Sequence, residues 1–95
     1  MKIMTTNHTH QSHAAIAKRL KRAQGHLGSV IQMIEQGREC LDIAQQLQAV
    51  EKAVAHAKKA LVQDHIDHCL EHMVQGSGSA QSQSLEEFKQ ITRYL

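Results

Sequence analysis

The chain has 95 residues with one Phe, one Tyr, no Trp and no Pro, and its formal net charge is +2 at pH 7. This length allows one small domain with a thin aliphatic core, so we expect an oligomer. No apolar run is long enough to span a membrane and no signal peptide is visible, which predicts a cytoplasmic protein whose two cysteines stay reduced.

The start of the chain predicts a flexible tail over residues 1–11, which contains His8, followed by a single helical domain over residues 12–95. Ser12 is a candidate N-cap for the first helix. Apolar residues then recur at steps of three and four, which predicts one amphipathic helix. Gly37 has the conformational freedom that a residue ending a helix needs.

Basic residues are concentrated in this first helix, because no Asp or Glu precedes Glu35. They mostly avoid the apolar stripe of the helix. A basic first element on a nearly neutral chain indicates contact with a polyanion such as DNA, although a solvated helix face would show the same charges. The candidate DNA-binding residues are Lys18, Arg19, Lys21 and Arg22.

A second helix is expected to start near Glu39 and to run to about Gln75, since no Gly or Pro interrupts that stretch. Its apolar residues alternate in steps of four and three, a heptad-like pattern that favours packing against other helices. Residues 76–83 are expected to form a flexible link. A short third helix is then expected from Ser84, because Ser84 and Glu87 have the spacing of a capping box. With no strand pattern, the predicted fold is all-α with three helices.

The segment Asp64–His72 is dense in side chains that bind metals, with three His and one Cys within eight residues. Residues four apart share one face of a helix, so His65 and Cys69 can chelate one ion. His68 and His72 form a second pair of this kind. The alternative is a polar helix end that carries a few titratable histidines.

A third ligand is needed, and Cys40 is the obvious candidate. It lies 25 positions before His65 on the same predicted helix, which corresponds to a rise of roughly 37 Å. If that helix is straight, one chain cannot bring both side chains to the same ion. If two copies pack antiparallel, however, Cys40 of one chain meets His65 and Cys69 of the other, giving two sites between subunits. Two thiolates and an imidazole suit Cu(I), Zn(II) or Ni(II).

Several short segments of the chain form a recognisable set, namely Arg19-Leu20-Lys21, Gly25-His26-Leu27, Cys40, Gln45-Gln46 with Ala49-Val50, and Asp64-His65 through Cys69. These segments resemble the CsoR/RcnR family of metal-responsive transcriptional repressors, and the resemblance covers nearly the whole chain from about Ile16. It implies a three-helix protomer, an antiparallel dimer and a disc-shaped homotetramer. It also implies binding to operator DNA by the metal-free protein and release on metal binding, which derepresses metal efflux genes.

The same resemblance implies roles for individual residues. Cys40, His65 and Cys69 fall at the positions of the metal ligands, and Arg19 falls at a position linked to DNA binding. Glu87 falls where copper sensors of the family place a carboxylate beside the ligands, although its place in the capping box would explain it equally well.

The resemblance also bears on which metal is sensed. Nickel and cobalt sensors of the family carry an additional His ligand well before the Cys, and His8 matches that offset, with His10 and His13 as alternatives. Glu39 replaces an aromatic residue that copper sensors of the family often place before the ligand Cys. We therefore favour Ni(II) or Co(II) over Cu(I).

Three other functional classes would place different demands on these residues. A metal buffer would need the ligands but not the basic residues. A thiol or aldehyde sensor of the same fold would need Cys40 as a nucleophile and would not need Cys69. An enzyme is not expected, because no Gly-rich loop or pocket-forming segment is evident.

Overall fold

The structure, a computed structural model, describes residues 11–75 and 78–95. These residues form three α-helices and no strand, which confirms the predicted all-α class. None of the described helices is long and apolar enough to cross a membrane. Residues 1–10 of the predicted tail, with His8, lie outside the described residues, whereas its last residue, Gln11, belongs to the first helix. The helices are α1 (Gln11–Glu35), α2 (Cys40–Gln75) and α3 (Ser79–Ile91), and a 3-10 turn follows at Thr92–Tyr94.

The chain divides into two compact units. The first contains α1 and the part of α2 that ends at Lys58, and the second contains the rest of α2, from Lys59, together with α3. Helix α2 runs through both units and matches the long helix expected from the sequence to within one residue at its start.

The core of the first unit is formed by one line of small and β-branched side chains on each helix. In α1 these are Ile16, Ala23 and Val30, and in α2 they are Val50 and Ala57, all buried and spaced by seven residues. Seven residues are close to two helical turns, so each line runs nearly parallel to its helix axis. Small residues in these lines allow the two helices to pack closely.

A second apolar line on each of these helices remains exposed. Leu20, Leu27 and Ile34 of α1 are 42%, 42% and 56% exposed, and Leu47 and Val54 of α2 are 43% and 46% exposed. The amphipathic stripes predicted from the sequence are therefore only half covered within the single chain.

The turn between α1 and α2 is closed by Gly37, as the sequence predicted. Its φ is 74°, in the left-handed region that favours glycine. The amide of Arg38 donates to the carbonyl of Met33 at 2.9 Å, and that of Gly37 donates to the carbonyl of Ile34 at 3.1 Å. This pair of bonds is a Schellman motif, which satisfies the last carbonyls of α1.

The third helix begins earlier than the sequence indicated. Gly78, with a φ of 59°, is its N-cap, and α3 runs from Ser79, so the predicted link to residue 83 and the capping box at Ser84 are wrong. Ser84 is instead buried, 4% exposed, inside the helix. A small side chain there permits close packing, and the Gln81 side-chain amide donates to the Met73 carbonyl of α2 at 3.0 Å. Contacts with α2 thus outweigh a local sequence that looks like a linker.

The N-cap predicted at Ser12 is also wrong, because Ser12 lies inside α1, whose described part begins at Gln11. Serine costs only a few tenths of a kcal/mol relative to alanine in a helix interior. A single capping residue therefore does not fix where a helix begins.

Candidate metal centre and basic surface

Three side chains of the second unit form the candidate metal centre. His65 and Cys69 lie one turn apart on α2, and Glu87 lies on α3; their potential ligand atoms are all within 4.8 Å of one another. Because α3 starts at Ser79, Glu87 is in the interior of the helix and does not cap it. The structure thus brings together three of the residues that the sequence singled out.

The electrostatics of this cluster favour a neutral thiol in the absence of a cation. Cys69 is only 1% exposed. Burial raises the pKa of its thiol, and the nearby Glu87 carboxylate raises this pKa further. A bound cation would reverse both effects, since it stabilises the thiolate and attracts the carboxylate.

The donor set fits a transition metal. A thiolate and an imidazole suit Cu(I), Zn(II), Ni(II) or Co(II), whereas hard ions such as Mg(II) and Ca(II) prefer oxygen ligands. His65 and Cys69 would hold the ion. Glu87 could either ligate it or accept a hydrogen bond from the second ring nitrogen of His65, as carboxylates often do behind metal-bound histidines.

A pocket of about 380 Å³ opens beside the cluster. It is bordered by His65 and Glu87 and leaves space for a further ligand from outside this unit. The C-terminal residues that complete the pocket could not be selected from the sequence, because their position depends on how α3 packs on α2. These residues are Gln90, Ile91, Arg93 and Tyr94.

Cys40 is the first residue of α2 and is exposed. It is not part of the cluster of His65, Cys69 and Glu87. The sequence predicted that Cys40 joins His65 and Cys69 of a second chain, so its role as a ligand stays a prediction. His8, the fourth candidate ligand, lies outside the described residues.

The basic residues of α1 are exposed, and they divide into two pairs. Arg19 and Arg22 line a pocket of about 350 Å³ between α1 and α2, whereas Lys18 and Lys21 do not line it. The pocket is completed by Ala23, His26, Ala53 and His56.

Two histidines of this pocket were not selected as DNA-binding residues from the sequence. His26 follows Arg19 and Arg22 at steps of three and four, a signal that could have placed it on their face of the helix. Its Nε2 atom lies 2.6 Å from Oε1 of Gln46 on α2. That oxygen can only accept, so Nε2 donates and the ring is held in place. His56 could be found only from the packing of α2 on α1.

Similar proteins with assigned roles cover most of the chain. The copper-sensing transcriptional repressor CsoR of Bacillus subtilis is 34% identical over 80 residues, which are 82% of this chain and 79% of that protein. The copper-sensing transcriptional repressor RicR of Mycobacterium tuberculosis is 32% identical over 71 residues, 75% of this chain and 74% of that protein.

Among solved structures, the nickel-responsive transcriptional regulator InrS superposes with a TM-score of 0.78 at 27% identity, covering 94% of this chain and 99% of that one. The family model described as "Metal-sensitive transcriptional repressor" matches residues 12–94. This match includes both the metal cluster and the basic surface. The chain therefore belongs to the CsoR/RcnR family of metal-sensitive transcriptional repressors.

Proposed function

We propose that this protein binds operator DNA when it is metal-free and is released when it binds Ni(II) or Co(II), which derepresses genes for metal efflux. The observation that carries this proposal is the grouping of His65, Cys69 and Glu87 around a buried thiol. The family consists of transcriptional repressors, so the expectation that the chain is not an enzyme is confirmed.

The third ligand in this proposal is Cys40 of a second copy. Cys40 and His65 belong to one uninterrupted helix, in which 25 residues correspond to a rise of roughly 37 Å. Antiparallel pairing of two α2 helices would bring Cys40 of each chain to His65 and Cys69 of the other. The pocket beside His65 and Glu87 offers the space for its entry.

The exposed apolar lines support this assembly. A helix with two adjacent apolar lines is suited to two neighbours, and the first unit covers only one line on each helix. The second lines, at Leu20, Leu27 and Ile34 and at Leu47 and Val54, would be covered by other chains. We propose the antiparallel dimer and the disc-shaped tetramer of such dimers.

Arg19 and Arg22 are proposed to hold DNA phosphates, with Lys18 and Lys21 adding to the positive field. Guanidinium groups bind phosphate oxygens through paired hydrogen bonds, and the pocket places two imidazoles beside them. Because such contacts release counterions, the affinity for DNA should fall steeply with salt.

The position of Cys40 suggests how the metal centre and the basic surface are coupled. Cys40 follows Gly37 by three residues, and the hydrogen-bonded turn at Gly37 closes the end of α1. A cation bound by Cys40 of one chain and by His65 and Cys69 of another would link these side chains. A displacement of Cys40 would then reposition α1 with its basic residues. A coupling free energy of about 1–3 kcal/mol is typical of such linkage.

DNA release can be tested with duplexes selected for binding to the metal-free protein. We expect Ni(II) to weaken that binding by roughly five- to 150-fold, the range that corresponds to this coupling energy. His65→Gln should retain DNA binding and lose the response to the metal. Unchanged DNA affinity in the presence of bound metal would contradict the mechanism.

The identity of the metal can be tested by anaerobic titration of the reduced protein with Ni(II), Co(II) and Cu(I), followed by absorption. For Ni(II) we propose His8 as a fourth ligand, so a square-planar spectrum should be lost in His8→Ala. The similarity to copper-sensing CsoR and RicR supports a second candidate, a Cu(I)-responsive repressor with Cys40, His65 and Cys69 alone. Tight Cu(I) binding that is indifferent to His8 would favour it.

A thiol or aldehyde sensor remains a further candidate because Cys40 is exposed. It requires a covalent adduct on Cys40 and a response that survives Cys69→Ala. The metal-responsive proposal requires the opposite, namely that the response is lost when Cys69 is replaced.

A further inference from the structure

A second pair of histidines lies on α2 outside the cluster of His65, Cys69 and Glu87. The ring centroids of His68 and His72 are 4.3 Å apart, and their planes are inclined by 46°. The two residues are one helical turn apart, so both rings project from the same side of the helix. Neither belongs to the three-residue cluster described above.

The charge around this pair favours a cation. Between Lys59 and Lys89 the sequence contains no Lys or Arg but five carboxylates, at Asp64, Asp67, Glu71, Glu86 and Glu87. Such a segment creates a negative potential that raises the local concentration of cations.

The chemistry of the pair selects among cations. Neutral imidazole is a ligand for Zn(II), Ni(II) and Cu(II), and a pair one turn apart on a helix can chelate one such ion. Two imidazoles without a thiolate have little preference for Cu(I). They occupy only two coordination positions and leave the others to water.

We infer that His68 and His72 form a second metal site, open to solvent, that binds borderline divalent ions such as Zn(II), Ni(II) and Cu(II). This site is complete within one chain, unlike the centre proposed between subunits, and it does not depend on that proposal. With only two protein ligands, it binds more weakly than the thiolate-containing centre.

The test is equilibrium dialysis of the reduced, full-length protein against Zn(II) under anaerobic conditions. We expect about two ions per chain, one tight and one weak, because two ligand sets of different strength are present. His68→Gln/His72→Gln should lose the weak ion and keep the tight one. Cys69→Ser should lose the tight ion and keep the weak one.

Two controls separate loss of the weak ion from misfolding of the variants. One is a single substitution, and the other is the NMR signal of individual histidine rings. His72 is exposed, so His72→Gln alone should leave the helix intact and should still abolish the weak ion. Nuclear magnetic resonance of the imidazole nitrogens should show the weak ion shifting the rings of His68 and His72 in the Cys69→Ser protein.

Two results would overturn this inference. If the weak ion survives in His68→Gln/His72→Gln, it belongs elsewhere, for example to the N-terminal histidines. If His68→Gln/His72→Gln also loses the tight ion, then these two histidines and the pair of His65 and Cys69 form a single site. Tight binding that persists in Cys69→Ser would instead count against the thiolate centre and would leave the histidine pair unaffected.

Discussion

Cys69 combines deep burial with a neighbouring negative charge, that of Glu87. Both raise the pKa of its thiol, burial more than Glu87. The metal-free protein therefore holds a neutral, shielded sulfur at this position, while Cys40 is exposed. Thiolate character and access determine the reactivity of cysteine, so the two thiols should differ strongly.

Alkylation under native conditions should show this difference. We expect iodoacetamide to modify Cys40 at least about tenfold faster than Cys69, since only the thiolate reacts and Cys69 is both neutral and buried. Mass spectrometry of the digested protein measures the two rates. Denatured protein is the control, in which both thiols should react alike; equal rates in the native protein would contradict the burial of Cys69.

The raised pKa of Cys69 also makes stability depend on pH. The Cys69 thiol holds its proton more tightly in the folded state than in the unfolded state, which stabilises the folded state. This contribution to the free energy of unfolding is fully present below the pKa of the unfolded thiol. It is lost as the pH rises towards the folded value. We expect the free energy of unfolding of the metal-free protein to fall in this alkaline window, by at most about 1.4 kcal/mol per pH unit.

Urea unfolding as a function of pH measures this slope. Glu87→Gln should narrow the pH range over which stability falls, because it removes the smaller cause of the raised Cys69 pKa and leaves the larger one, burial, in place. Cys69→Ala should remove the contribution of this thiol. A slope that is unchanged in Cys69→Ala would show that other groups dominate the alkaline range.

At the scale of the elements, the turn between α1 and α2 depends on one glycine. Gly37 has a positive φ, whereas Gly28 lies within α1, and no heavy atom would meet an added Cβ at either position. We expect Gly37→Ala to destabilise the protein by about 1 kcal/mol, because alanine is strained at this φ. Gly28→Ala is the matched control and should be neutral or stabilising by about 0.5–1 kcal/mol. Urea unfolding compares the two, and equal losses would contradict this account.

The sequence predicted the three helices well because periodicity and the absence of proline are local signals. It failed at the start of α3, where residues 79–83 have the composition of a linker but are helical. It also could not tell which half of each apolar stripe is buried within the chain, since that depends on the partner helix. For the same reason the sequence left Glu87 with two equal interpretations, and the start of α3 at Ser79 excludes the capping one.

The basic surface allows a prediction for the protein as a DNA-binding molecule. Arg19→Ala/Arg22→Ala should weaken DNA binding more than Lys18→Ala/Lys21→Ala, because only the arginines share a pocket with His26 and His56. Each lost phosphate contact should reduce the slope of log affinity against log salt by about 1. Fluorescence anisotropy at several salt concentrations measures both quantities. Equal effects of the two double variants would mean that overall charge, rather than the pocket, governs binding.

Helix α2 carries Cys40 at its first residue and His65 with Cys69 in its second half. If each metal centre combines Cys40 of one chain with His65 and Cys69 of another, substitutions at opposite ends of α2 should complement each other. A heterodimer of Cys40→Ala and Cys69→Ala chains would hold one intact centre and one doubly defective centre, whereas either homodimer would hold none. Mixing the two inactive variants should therefore restore about half of the tight metal-binding capacity per heterodimer. In a cell with both alleles, the defect of each would be partly masked by the other.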